Sequence, residues 1–147
     1  MCGGVNFEHH GEVLKSFFPN PYAQLPLLKR DGSIELVSWG RREGQEGNLP
    51  VTGWARLDSI HSGRWDKYFP KPVRIPVIRY MEKNLEGVSK WYDLIPSQCL
   101  QGLYIQSGNE RRVYVVTVEP ELLERDYHDR MPRIIKMPGT VHIIGSG

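Results

Sequence analysis

A chain of 147 residues with 39% hydrophobic side chains has the size and composition of one globular domain, residues 1–147, able to bury its own core. Its formal charge of +2 is too small to mark a nucleic-acid binder by bulk charge, so any basic surface must be local. Two cysteines without metal-ligand spacing exclude a disulfide framework and a zinc module, and the absence of a leader-like segment or long apolar run predicts a cytoplasmic, non-membrane protein. In chain order, "FEHHGEVLKSFF" has some helical spacing and "PNPYAQLP" interrupts it. "LPLLKRDGSIELVSWG" reads as a β-hairpin about Asp31-Gly32, and the polar, Gly-rich "RREGQEGNLPVTG" reads as a loop. "VRIPVIRYM" predicts a strand interrupted by Pro76. "QGLYIQS" and "RRVYVVTVE" predict a strand pair across "GNE"; Pro120 opens a short helix, "PELLERDYH", and "RIIKM" is a last strand. The expected fold is α+β, mainly antiparallel β: a partly closed β-barrel with a few short helices.

The chemistry-bearing residues are few. Cys2 stands directly after the initiator methionine, where a tip is either frayed or, once Met1 is trimmed, carries a free α-amine beside a thiol. Such an aminothiol condenses with an aldehyde through nitrogen and closes through sulfur to a thiazolidine. Gly3 and Gly4 leave the backbone open to close approach. His9, His10 and His61 lie in polar surroundings and His142 in an apolar tail, whereas His128 stands at a helix exit in "YHDRMPRIIK" and is suited to proton transfer. Glu82 reads as a charge at a strand end, and Arg56 as either a phosphate ligand or the partner of Asp58.

Taken together and in order, "MCG", Trp39-Gly40, Ala55-Arg56, Ile75-Pro76 ahead of Glu82, Gly102–Tyr104 and "HDRMP" resemble the SOS-response-associated peptidase (SRAP) family over essentially the whole chain. "PNPYAQLP" is similar to that family's early Asn-x-Ala-Pro segment, with Asn20 in the Asn position. The resemblance implies the family's barrel and a sensor of abasic sites, acting as a monomer on single-stranded DNA without a cofactor or metal. It makes Cys2 the crosslinking nucleophile after Met1 is removed, Glu82 the proton-transfer group for sugar opening and His128 the group assisting Schiff-base chemistry and reversal. Gly3, Asn20, Trp54, Arg56 and Arg130 become the residues that meet DNA, the two arginines by holding phosphates.

The pattern is not copied throughout. The family's Asn-Ala-Arg reads "WAR", so the Trp54 indole, one donor and no acceptor, stands where an amide lines the site and is expected to crowd it. A basic contact is replaced by Gly4, and the family's tryptophan loop by "RREGQEGN", where Arg41 and Arg42 offer charge instead. Three functions stay open on sequence: an abasic-site crosslinking enzyme, a DNA-binding protein of the same fold that has lost crosslinking, and a peptidase.

Overall fold

The computed structural model describes residues 1–120 and 130–139, so the helix expected at "PELLERDYH" and both His128 and His142 lie outside the described residues. Among the described residues twelve strands make two sheets. The first is four-stranded and antiparallel, ordered β2 (Glu12–Phe17), β1 (Cys2–His9), β7 (Arg79–Lys83), β8 (Ser89–Asp93). The second closes on itself: β10 (Glu110–Val118) pairs with β4 (Ile34–Trp39), then β3 (Gln24–Leu28), β6 (Lys71–Ile75) and β9 (Gln98–Ser107), and β9 pairs back with β10. This ring of five strands is a closed barrel, with β5 (Trp54–Arg56), β11 (Met131–Pro132) and β12 (Ile134–Lys136) appended. Its pairs are antiparallel except β10 with β4, and β5 also joins β10 in parallel. One α-helix, α1 (Leu57–His61), and one 3-10 turn, Asp66–Tyr68, complete the described secondary structure. The fold is therefore mixed α+β and barrel-based.

The hairpins at Asp31-Gly32 and across "GNE" form as expected, and "RIIKM" supplies β12. Two expectations are corrected. "FEHHGEVLKSFF" is not helical but the end of β1, a turn and β2, with His9 opposite Glu12. His10 and Gly11 both take positive φ, 51° and 78°, which is the geometry of a two-residue hairpin turn whose twist matches the flanking strands. "VRIPVIRYM" is two strands rather than one, because at Pro76 the chain leaves the barrel in β6 and enters the four-stranded sheet in β7. A proline cannot donate to a ladder, so the sequence places it where the pairing partner changes.

The core lies between the two sheets. Val5, Phe7 and Tyr80 from the first pack with Leu25, Val37, Trp39, Ile75, Leu100, Val113 and Val115 from the barrel wall. The other face of β9 and β10 is buried as well: Leu103, Ile105, Tyr114 and Val116 meet Leu49, Ala55 and Trp65, with Leu57 and Ile60 of α1 packed over them. Burial on both faces explains why "VYVVTV" runs almost continuously apolar instead of alternating.

Candidate active site

Cys2 is the first residue of β1 and has no exposed surface. It is thus a paired strand residue and not a frayed tip. Its register partner on β7 is Glu82, also buried at 2% exposure, with Gly3 bulged out of the ladder between Cys2 and Gly4. The Met1 ammonium sits 2.9 Å from Glu82 Oε2, while Oε1 has no hydrogen-bond partner among the described residues. Burial raises the Glu82 carboxyl from 4.5 to about 7, against the pull of the ammonium in the opposite sense. The same burial, with the Glu82 charge next, pushes the Cys2 thiol well above the ordinary thiol range. The sulfur is held as a neutral thiol, 3.6 Å from the Gly4 carbonyl oxygen to which it donates.

Trp54 closes this corner. Its indole Nε1–H donates to the Cys2 carbonyl oxygen at 2.7 Å, and its ring packs against Phe18 with centroids 4.7 Å apart. Phe18 in turn anchors β1, its backbone N–H donating to the Gly3 carbonyl at 3.1 Å. The indole therefore does more than crowd: it holds the backbone of the cysteine. Gly4 has a reason of its own. A Cβ there would lie 2.7 Å from the Phe17 ring, so this ring occupies the space a longer side chain needs. Phe17 and Phe18 escaped notice in the sequence because they sit in the stretch with helical spacing; their adjacency to a proline is the signal of a strand end.

The two arginines lie one step along. Trp54 and Arg56 are two apart on β5 and so project from the same face, about 7 Å apart along the strand. Arg56 is exposed and makes a forked pair with Asp58, at 3.1 and 2.9 Å, which pulls the Asp58 carboxyl down to about 2. Arg130 is buried beside it, donating to the Thr117 carbonyl at 2.8 Å and to Thr117 Oγ1 at 3.3 Å, with Asp58 4.0 Å away. Burial, then the neighbouring Arg56 charge, lowers the Arg130 guanidinium from its ordinary value. An open pocket of about 420 Å³ adjoins them, lined by Arg56, Asp58, Ser59, Ser62 and Arg64.

Other expected residues stand apart from this chemistry. Asn20 shapes the turn after β2, its side-chain oxygen accepting from the Tyr22 N–H at 3.0 Å. Arg41 and Arg42 donate inward, Arg41 to the Gln45 and Leu49 carbonyls and Arg42 to those of Phe18 and Trp39. They brace the loop. Among the described residues no group of His, Cys, Asp and Glu is placed to hold a metal, and Cys2 and Cys99 are both free thiols. The structure thus gathers Cys2, Gly3, Glu82 and Trp54 at one corner, with Arg56 and Arg130 adjacent along β5 and Thr117, and leaves Asn20 in a neighbouring turn. No helix among the described residues is long and apolar enough to cross a membrane. No family model matches the chain, and no curated protein matches it.

Proposed function

We propose that the chain is an abasic-site protein of the SRAP type, capturing the sugar aldehyde of a lesion in single-stranded DNA through Cys2. The observation that carries this reading is the juxtaposition of the chain's amino terminus, the Cys2 backbone and a buried carboxyl that titrates near neutrality. Hydrolysis of the Met1–Cys2 bond consumes one water and leaves the Cys2 amine on the strand position opposite Glu82. That amine adds to the aldehyde carbon of the ring-opened sugar, and loss of water gives the imine. The thiol then adds to the imine carbon, its proton passing to nitrogen, and the five-membered ring closes with one water released overall.

Glu82 is suited to the proton transfers, since a carboxyl poised near the operating pH both gives and accepts protons. Trp54 keeps the Cys2 carbonyl fixed while the amine reacts. Arg56 and Arg130 are assigned the phosphates flanking the lesion, with a phosphate displacing Asp58 from between them. The resemblance assigns assistance with the Schiff-base chemistry and with reversal to His128.

Cys2→Ala should abolish a heat-stable adduct with abasic single-stranded DNA, and Cys99→Ala should leave it intact, in protein whose intact mass shows that Met1 is gone. Equal adduct in both variants would overturn the mechanism. One observation favours a second reading, a strand-binding protein without the covalent step: Cys2 is wholly enclosed while Met1 is present. Strand binding with no adduct from fully processed wild-type protein would decide for it.

A further inference from the structure

At the barrel end where β3 finishes and β6 begins, the two strands share a single register pair, Leu28 with Arg74, and then part. The gap between the β3–β4 turn and β6 opens into a groove of about 880 Å³, reaching Tyr104 of β9 and Arg111 of β10. Its charged lining is Lys29, Arg30, Lys71, Arg74 and Arg111 against Glu35 alone. That is four net positive charges in one groove, where the whole chain carries two, so the remainder of the protein is net negative. Like charges this crowded repel one another, and an anion entering the groove relieves the repulsion.

The cations are partly pre-set. Glu35 holds Lys29 at 3.5 Å and also pairs with Arg111, whose Nε donates to the Tyr104 hydroxyl at 2.8 Å. Arg74 Nε donates to the Lys136 carbonyl at 3.0 Å. Arg30 and Lys71 are exposed, and among the described residues neither side chain has a hydrogen-bond or ion-pair partner. Three cations are thus positioned and two stand free on opposite lips. A lipid surface would be met by exposed apolar side chains beside the charges. None of the exposed large hydrophobic residues, such as Tyr22, Phe69 or Leu85, lines the groove. A groove with separate cations on its two lips suits a thread-like polyanion.

We infer that this groove binds the phosphodiester backbone of a single nucleic-acid strand, apart from the Cys2 corner. The choice of partner rests on the function proposed above; the site itself rests on the groove. Arg111 is four residues from Val115, the register partner of Trp54, or about 13 Å along β10. The groove and the Trp54 side of the Cys2 corner are thus joined through β10.

The test is the anisotropy of a labelled, undamaged oligothymidylate against salt, for wild type, Cys2→Ala and the double variant Arg30→Ala/Lys71→Ala. Both substitutions are at exposed positions, and a melting curve on each sample verifies folding. The double variant should bind about tenfold more weakly at 0.1 M salt, with the slope of log affinity against log salt shallower by about 1.4, two phosphate contacts on a single strand. Cys2→Ala should bind as wild type does. Absence of oligothymidylate binding by wild type, or equal affinity and slope in wild type and double variant, would overturn the groove while leaving the Cys2 adduct to stand or fall separately. Phosphatidylserine vesicles that bind wild type, lose the double variant and displace the oligonucleotide would overturn the strand assignment in favour of a lipid surface.

Discussion

Glu82 is a carboxyl set down between a thiol and an amine inside a protein core, and its protonation is the property most open to measurement. Burial raises it from 4.5 to about 7, so between those values the folded chain holds a proton that the unfolded chain has released. Stability should therefore be highest at the acid end of this window, fall as pH rises through about 7, and level off above. The full displacement corresponds to about 3 kcal/mol at most. Asp58, Asp31 and Glu110 are all shifted downward, so their contributions are lost only as pH falls below the ordinary carboxyl range and do not mask the effect. Glu82→Gln carries no proton to release, and its urea-unfolding free energy should lack this decline between pH 5 and pH 8. Identical pH slopes for the two proteins would show that Glu82 is ionised in the folded chain throughout. The same substitution should slow adduct formation while sparing affinity for the strand, since a positioned acid or base acts on rate.

Among the elements, the turn from β4 into the long loop shows how a short motif is tied to the barrel. Trp39 is fully buried and its indole donates to the Gly53 carbonyl at 3.0 Å; Gly40 donates to the Val113 carbonyl at 2.8 Å, and its own carbonyl accepts from Arg112. Gly40 has φ of +55°, and a Cβ there would fall 2.2 Å from the Thr52 carbonyl oxygen. The left-handed conformation costs about 1–2 kcal/mol for an L side chain, and overlap with a fixed backbone adds about 1–3 kcal/mol. Gly40→Ala should thus lower the unfolding free energy by about 2–5 kcal/mol in urea; a loss under about 0.5 kcal/mol would mean that the loop shifts freely. This glycine was visible in the sequence as part of a motif, but its reason was not, because the atoms it must avoid come from a residue twelve positions later. The same divide runs through the rest of the chain. Asp31-Gly32 and the "GNE" hairpin were legible because their turn chemistry is local. β1 and β2 were not, since a histidine at positive φ is an uncommon turn residue and paired strands can imitate helical spacing over a dozen residues. At the site, Cys2 and Glu82 were named from sequence; their cross-strand pairing and the bond from Trp54 depend on a sheet that no local pattern announces. The basic groove was hidden for the same reason, its five cations coming from separate strands and turns.

For the whole molecule, β10 is the element on which both sheets and both packed layers depend. It pairs with β9, β4, β5 and β11, and its residues alternate between the inter-sheet core and the layer under α1. β8, by contrast, is an edge strand with β7 as its one ladder partner among the described residues, and all of its residues are exposed or half-buried. β1 lies between these extremes, buried on the core side and paired on both flanks, yet next to the edge strand β2. Local opening is cheapest where few buried contacts and few ladder bonds are broken. Amide exchange should accordingly be slowest at Val113–Val116, requiring global unfolding, and orders of magnitude faster across Ser89–Asp93 under the same conditions. Gly4 and Val5 should exchange at an intermediate rate, because opening of the first sheet uncovers the Cys2 corner without unfolding the barrel. A strand reaching that corner uses this opening and holds the sheet open, so bound abasic DNA should speed exchange in β1 and β7 and leave Val113–Val116 unchanged. Protection of Ser89–Asp93 equal to that of Val113–Val116 would instead make the two sheets one cooperative unit, and access to Cys2 would then require a path through the folded surface.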